Sequence, residues 1–368
     1  MLNHFHLQDQ VRDAAARGAK LLIQGHGSKA FYGHDCSGEP LDMRGFTGIT
    51  SYEPSELVIT ARAGTSIAEL EQALAEKGQH LAFEPPRFGG RVGGSVGGGG
   101  TVGGMLAAGL SGPARASAGS VRDHVLGLTL LNGRAEAMNF GGTVMKNVAG
   151  YDVSRLIVGS LGMLGVILEA SIKVLPVPVA TATLRFELSQ AAALHELNRW
   201  GGQPLPVSAS AWWDGALVLR LAGAQAAVQA AVSKLGGEAI PEDLAAPFWT
   251  GLRDHDDEFF RGAARAVQGG ARLWRVSVPQ TAPELPLSGE QLVEWGGAQR
   301  WVATALAPAQ LREAVAAVGG HATLFQALDK SPGVFAPLSV PLARIHRELK
   351  DAFDPQRVFN SGRLYPDL

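Results

Sequence analysis

A single cysteine, Cys36, stands among 368 residues. No internal disulfide is open to it. Without a Cys-x-x-Cys pair the chain holds neither a zinc site of that type nor an iron–sulfur cluster. Charge is sparse and balanced, with 18 % Asp, Glu, Lys and Arg and a net charge of −2. No basic run exceeds two residues, which argues against nucleic acid as the main partner. Long apolar runs are missing too. The uncharged, predominantly apolar stretch of residues 156–168 contains three glycines and falls short of the about 20 residues a bilayer span needs. The N-terminal residues, with Asp9 and Asp13 close behind, form no apolar leader segment. The expectation is a soluble, cytoplasmic protein. No G-x-x-x-x-G-K-[ST] occurs, so a Walker phosphate loop is absent.

What the chain has in excess is glycine. It holds 47, where ordinary usage of roughly 7 % would give about 26. Ten of them fall within positions 89–104 and show no Gly-X-Y period, so the excess is local and not collagenous. Around this belt the pattern predicts a helix over 7–17, a strand over 20–24, a strand over 57–62 and a helix opened by Thr65-Ser66. Val125–Leu131 reads as a buried strand ended by a hairpin signal, Asn132-Gly133, and residues 166–175 as another strand. Pro176-Val-Pro178 marks a boundary. Beyond it, residues 211–221 and 299–306 each read as one strand followed by an Ala-rich helix, the pattern of a smaller α+β unit. The expected division is 1–178, 179–340, and a tail of 341–368 too short for its own core and so expected to dock elsewhere on the protein.

The segment Gly25-His-Gly27-Ser-Lys-Ala30 formally matches the dinucleotide fingerprint G-x-G-x-x-G/A after a strand. That fingerprint requires a helix to begin there, whereas the chain continues into turn-forming residues up to Pro40. An anion nest fits better: small residues let backbone N–H groups approach a diphosphate closely. Gly25–Lys29 would form one wall and Gly100–Gly112 the other. Glycine turns in a mobile surface loop would explain either segment alone. Gly141-Gly142 and the repeat-like Gly159-Ser-Leu-Gly162-Met-Leu-Gly165 tilt the balance toward the nest.

These residues carry a resemblance. Gln24-Gly-His-Gly-Ser28, Glu84-Pro-Pro-Arg87, Thr101-Val-Gly-Gly104, Leu110-Ser-Gly-Pro113, Gly119–Gly127, Val144–Asp152 and Gly159–Ile167 resemble, in order and spacing, the PCMH-type FAD-binding domain of the vanillyl-alcohol-oxidase flavoproteins. Val293–Trp301, Gly319–Phe325 and Phe353–Pro366 extend the similarity to the E-type FAD-binding subunits of bacterial glycolate oxidases. The resemblance implies an α+β fold, two α/β subdomains clasping FAD followed by a smaller α+β domain. It implies assembly with a larger FAD-containing partner of the D type and an iron–sulfur partner of the F type, which together oxidise glycolate to glyoxylate. Any position at the inner face of the cell membrane would come through those partners. By the family pattern FAD would touch Gly25, His26, Gly27, Ser28 and Lys29, then Pro85, Thr101, Val102, Gly103, Gly104, Ser111 and Gly112. Arg122, Asp123, Gly162, Gly165, Val166 and Ile167 complete the set. Members that attach FAD covalently carry His where Ser28 stands here, so non-covalent FAD is expected. Residues 91–99 form a longer glycine loop than the family usually has.

Oxidising a 2-hydroxy acid on flavin needs a cation for the carboxylate and a base for the hydroxyl proton. Lys146 and Arg155 are the nearest candidate cations and Tyr151 a candidate hydrogen-bonding group; Arg87 is a further cation. No residue stands out as the base. The histidine-rich motif of larger catalytic homologues has no counterpart, since His321 stands alone, and no metal site is expected. Two alternatives to an electron-transferring enzyme subunit therefore stay open: a non-catalytic, flavin-stabilised structural subunit, and a free-standing FAD-dependent D-2-hydroxyacid dehydrogenase.

Overall fold

The computed structural model describes residues 4–89, 99–143 and 151–368, with backbone alone at 91–92 and 95–96. The first helix, His4–Arg17, buries Leu7, Val11 and Ala14 along one stripe and delivers the chain to the strand Leu21–Gln24. That strand pairs in parallel with Glu39–Asp42. The loop between them contains turns and no helix, which removes the Rossmann reading of Gly25–Ala30.

Next comes a five-stranded antiparallel sheet in the order Ile49–Glu53, Val58–Arg62, Val166–Lys173, Val125–Leu131, Ala137–Gly141. Its central strands are apolar nearly throughout because both faces are covered: Val102, Met105 and Leu106 of the helix Val102–Ala108 join Leu130, Val166 and Ile172 in one core. The helix Ile67–Ala75 begins where capping chemistry places it. Ser66 Oγ accepts the Glu69 N–H at 3.0 Å, and Ile67, Leu70 and Leu74 turn inward. The turn after Leu131 is wider than its Asn-Gly signal implies. Asn132 Oδ1 accepts from the N–H groups of Arg134 and Glu136, and the left-handed residue is Ala135. Gly133 has another reason to be glycine: a Cβ there would lie 2.4 Å from Asp354 Oδ1 in the tail.

Eight antiparallel strands form the second large sheet, in the order Glu238–Ile240, Ala180–Glu187, Ala216–Gly223, Val207–Trp213, Glu290–Glu294, Gln299–Thr304, Arg272–Ser277, His321–Gln326. The single strand expected over 211–221 is two strands of a hairpin. Asp214 (φ 47°) and Gly215 (φ 77°) supply the paired left-handed residues of a type I′ turn. The helices Glu242–Asp254 and Glu258–Gln268 add Trp249, Leu252, Phe259 and Phe260 to the core beside this sheet. The last helix, Val340–Phe353, fully buries one side chain, Lys350. After it the chain returns to the first lobe, where Val358 O accepts from Leu21 N and Asn360 N donates to Leu21 O.

Candidate cofactor cleft

The strand Leu21–Gln24 ends at a cleft of about 930 Å³, counted out to its open mouth. One wall is the loop from Gly25 to Ala30. Thr101, Gly103, Gly104, Ala107 and Ala108 form a second wall, and Leu161, Gly162, Gly165 and Ile167 a third. The first two walls touch at Gly25, where a Cβ would fall 2.4 Å from Thr101 Oγ1. Thr101 is fixed there because its Oγ1 also accepts the Gly104 N–H, capping the helix Val102–Ala108.

The two walls differ in chemistry. In the Thr101 wall the backbone donors are already used: Val102 N–H bonds Thr65 O, Gly103 N–H bonds Ala63 O, and Gly104 N–H bonds Thr101 Oγ1. In the first loop, Ala30 N–H closes a turn on Gly27 O, while the N–H groups of His26, Gly27, Ser28 and Lys29 have no acceptor among the described residues. The nest of free donors therefore lies on one side, and the glycines opposite contribute closeness.

Side-chain charge follows the same sense. Lys29 Nζ and His26 Nδ1 are buried without a hydrogen-bond partner among the described residues. Burial lowers the Lys29 pKa to about 8, with the Asp254 carboxylate pulling it back up. Phe88 lies beneath the ammonium, its ring centre 5.4 Å away. Lys29, Arg363 and His26 are the titratable groups of the lining, which includes no carboxylate among the described residues. A buried ammonium with no directly paired carboxylate is costly, and an anion entering the cleft relieves that cost.

Of the residues singled out from sequence, Gly25, His26, Gly27, Ser28, Lys29, Thr101, Gly103, Gly104, Gly162, Gly165 and Ile167 come together here. The rest stand elsewhere. Val102 and Val166 are core residues. Pro85 is buried beside Glu84. Ser111 Oγ accepts from Val121 N–H, and Gly112 O accepts from Trp295 Nε1 at 3.0 Å. Arg122 donates to Val158 O, and Asp123 closes a capping box with Ser120. Arg155 pairs with Asp152 at 2.9 Å, Arg87 with Glu71 at 2.9 Å, and Tyr151 is 99 % exposed. Lys146 lies outside the described residues, as do residues 93–94 and 97–98 of the 91–99 loop.

Sequence reasoning singled out none of the apolar lining residues Leu22, Ile23, Met43, Ala107, Ala108 and Leu161, although the last three lie within the 100–112 and 159–165 segments it named, and it missed two polar residues of the tail, Asn360 and Arg363. The first six carry no signal beyond belonging to buried elements. The tail is visibly too short to fold alone, but nothing in its composition names the cleft.

One half-buried histidine of an aromatic cluster is chemically silent. His255 stacks on Phe260 at 3.8 Å within an aromatic cluster with Trp301 and Phe325. Burial, with Arg275 nearby, pushes its pKa down to about 3, so it stays neutral as a packing group.

Comparison with known proteins gives the family. The FAD binding domain family matches residues 3–141. The glycolate oxidase subunit GlcE of Escherichia coli K12 is 47 % identical over 362 residues, covering 98 % of this chain and 97 % of that protein. The glycolate oxidase subunit GlcD of Bacillus subtilis is 32 % identical over 136 residues, 37 % of this chain and 27 % of that one. Alkyldihydroxyacetonephosphate synthase, a solved structure, superposes on 97 % of this chain and 75 % of its own with a TM-score of 0.65 at 15 % identity, a likeness of fold alone. The chain thus belongs to the GlcE family of glycolate oxidase subunits, FAD-binding oxidoreductases of α+β, PCMH-type fold.

Proposed function

We propose that the cleft holds FAD non-covalently, with its diphosphate against residues 25–29. In this reading the chain serves as a flavin subunit in an assembly that oxidises glycolate to glyoxylate. The carrying observation is the pair of orphaned nitrogens, Lys29 Nζ and His26 Nδ1, in a lining without a carboxylate. A diphosphate fits that chemistry, and the apolar side chains of Leu22, Ile23, Met43 and Leu161 fit the rest of a flavin nucleotide by excluding water. FAD bound there supplies a two-electron acceptor. Glycolate gives up two electrons and two protons as its hydroxyl carbon becomes the glyoxylate carbonyl. One cysteine cannot ligate an iron–sulfur cluster, so the electrons leave through another chain, an iron–sulfur subunit, with a GlcD-like subunit as the larger partner. No described helix is long and apolar enough to cross a membrane, and we assign any attachment at the inner membrane face to those partners.

A second reading keeps the flavin and moves the chemistry to the partner. It is favoured by the lining itself, in which, among the described residues, His26 and Lys29 are the side chains able to act as a base and both stand at the proposed diphosphate seat, and by Arg155 being spent on Asp152. Anaerobic mixing with glycolate separates the two. Bleaching of the flavin by this chain alone supports turnover here; bleaching only with the partner subunits present supports the second reading. The purified protein is expected to be yellow and to release its FAD on acid precipitation. Flavin that stays with the precipitate would overturn non-covalent binding.

Lys29 sets a pH dependence. In the free protein its ammonium loses its proton around pH 8. A diphosphate beside it holds the proton on, so binding takes up a proton above pH 8 and none well below it. The dissociation constant for FAD is expected to stay flat below about pH 7 and to rise by up to about tenfold per unit above pH 8. Titrating apoprotein by flavin fluorescence at pH 7 and pH 9 checks this. Lys29→Met should weaken binding at pH 7 and flatten the profile; an unchanged profile in that variant would move the dependence to another group.

A further inference from the structure

The segment that follows the tail helix, residues 354–364, reaches the cleft through contacts that sequence reasoning did not foresee. It lies along one edge of Leu21–Gln24, with Glu39–Asp42 on the other, so the cleft strand is central in a small three-segment sheet. Asn360 bridges two walls. Its Oδ1 accepts from Ile23 N–H at 2.8 Å and its Nδ2 donates to Leu161 O at 2.7 Å. Gly162, at φ 76°, makes room for it, since a Cβ there would meet Asn360 Nδ2 at 2.7 Å. Arg363 reaches further round the first loop. Its Nη2 donates to the carbonyls of Lys29, Ala30 and Tyr32 at 3.3, 2.9 and 2.9 Å, and its own carbonyl accepts from His34 N–H.

These contacts have a direction. Three loop carbonyls gathered onto one guanidinium fix the peptide planes of residues 29–33, and with them the turn that presents the free N–H groups of 26–29 and the Lys29 side chain to the cleft. Among the described residues of 4–178 no side chain does this; Lys330 holds the alternate carbonyls, Phe31 O and Gly33 O, further along the same stretch. The guanidinium lines the cleft with Nη2 committed to the three carbonyls and Nη1 donating to Cys36 Sγ, so it acts through the loop.

We infer that the C-terminal segment 358–364 is a clasp for the cofactor, with Arg363 as the positioning residue that holds the 25–32 loop in its binding conformation. The inference rests on the proposed seat of FAD in this cleft. It adds that tail docking and flavin binding stabilise each other. By linkage, whatever factor the docked tail contributes to FAD affinity, bound FAD returns to tail docking. The cleft is also complete only when the residues after the tail helix are in place, so flavin uptake waits for them.

The test uses the full-length protein, stripped of flavin and titrated with FAD. Arg363→Met is expected to weaken FAD binding on the order of ten- to hundredfold. Arg363→Lys should recover part of the loss, and added guanidinium ion should recover part of it in Arg363→Ala, a rescue that general destabilisation would not give. Arg344→Met, on the exposed face of the tail helix, serves as the control and should leave affinity unchanged. Hydrogen exchange on the wild-type chain needs no variant: FAD should slow exchange in 358–364 as well as in 25–32. Wild-type affinity in Arg363→Met, or exchange in 358–364 indifferent to FAD, overturns the clasp while leaving the cofactor site standing. A wild-type chain that takes up no FAD overturns the cofactor reading and the clasp with it.

Discussion

Gly27→Asp is expected to remove the flavin from this protein almost completely, while Gly27→Asn leaves most of it. Gly27 sits at φ 72° with nothing within 4 Å of the position a Cβ would take. A side chain therefore meets no wall, and both Asp and Asn tolerate the left-handed backbone better than other residues do. The two variants share shape and strain and differ by one charge. A carboxylate about 4 Å from a phosphate charge, at the effective dielectric of a partly buried site, costs about 4 kcal/mol, or roughly a thousandfold in affinity. The neutral amide should cost about tenfold or less, from backbone strain of order 1 kcal/mol. Flavin content after gel filtration, followed by titration of the apoprotein, separates these outcomes. Equal losses in the two variants would mean that shape and not charge governs position 27, and would remove the diphosphate from that loop.

The sequence made the cofactor loop legible for a physical reason. Glycines clustered after a short apolar strand have few structural uses, and Lys29 follows them where a counter-charge to an anion would stand. Secondary structure with local causes was legible too: Ser66 capping Glu69, the 3.6-residue stripe of Ile67, Leu70 and Leu74, the continuous apolar run 125–131. The failures are equally local. Asp214-Gly215 is a turn signal as strong as Asn132-Gly133, yet the apolar residues on both sides read as one strand. At Asn132 the side chain takes over the turn, so the glycine beside it serves the tail instead. Relations between distant parts were not readable at all. Leu21 bonds to Asn360 through backbone groups, and the Arg363 side chain bonds to the backbone carbonyl of Lys29, an acceptor that every residue has. No residue type at either end announces such a bond.

The anchor of the tail is a buried ion pair, and breaking it is expected to have the largest effect on stability of any single substitution in that segment. Lys350 and Asp354 are 1 % and 0 % exposed and meet at 2.8 Å, one helical turn apart. Lys350 Nζ also donates to Met163 O and Phe359 O, which accounts for all three ammonium protons. Asp354 accepts the N–H groups of Val358 and Phe359, turning the chain sharply after the helix and aiming it at Leu21. Removing the cation strands a carboxylate in the interior, so Lys350→Met should cost about 3–5 kcal/mol. Asp354→Asn should cost less, since an amide oxygen still accepts one N–H and Lys350 keeps two carbonyls. The double variant should recover part of the Lys350→Met loss, because no uncompensated charge remains. Urea unfolding of the apoprotein measures all three, read at the first transition because two sheets need not unfold together. The tail's route to the cleft adds a second readout: Lys350→Met should lose flavin affinity in parallel with stability, although Lys350 lines no part of the cleft. A Lys350→Met protein destabilised by less than about 1 kcal/mol would mean that water reaches Asp354 and that the pair is not the anchor.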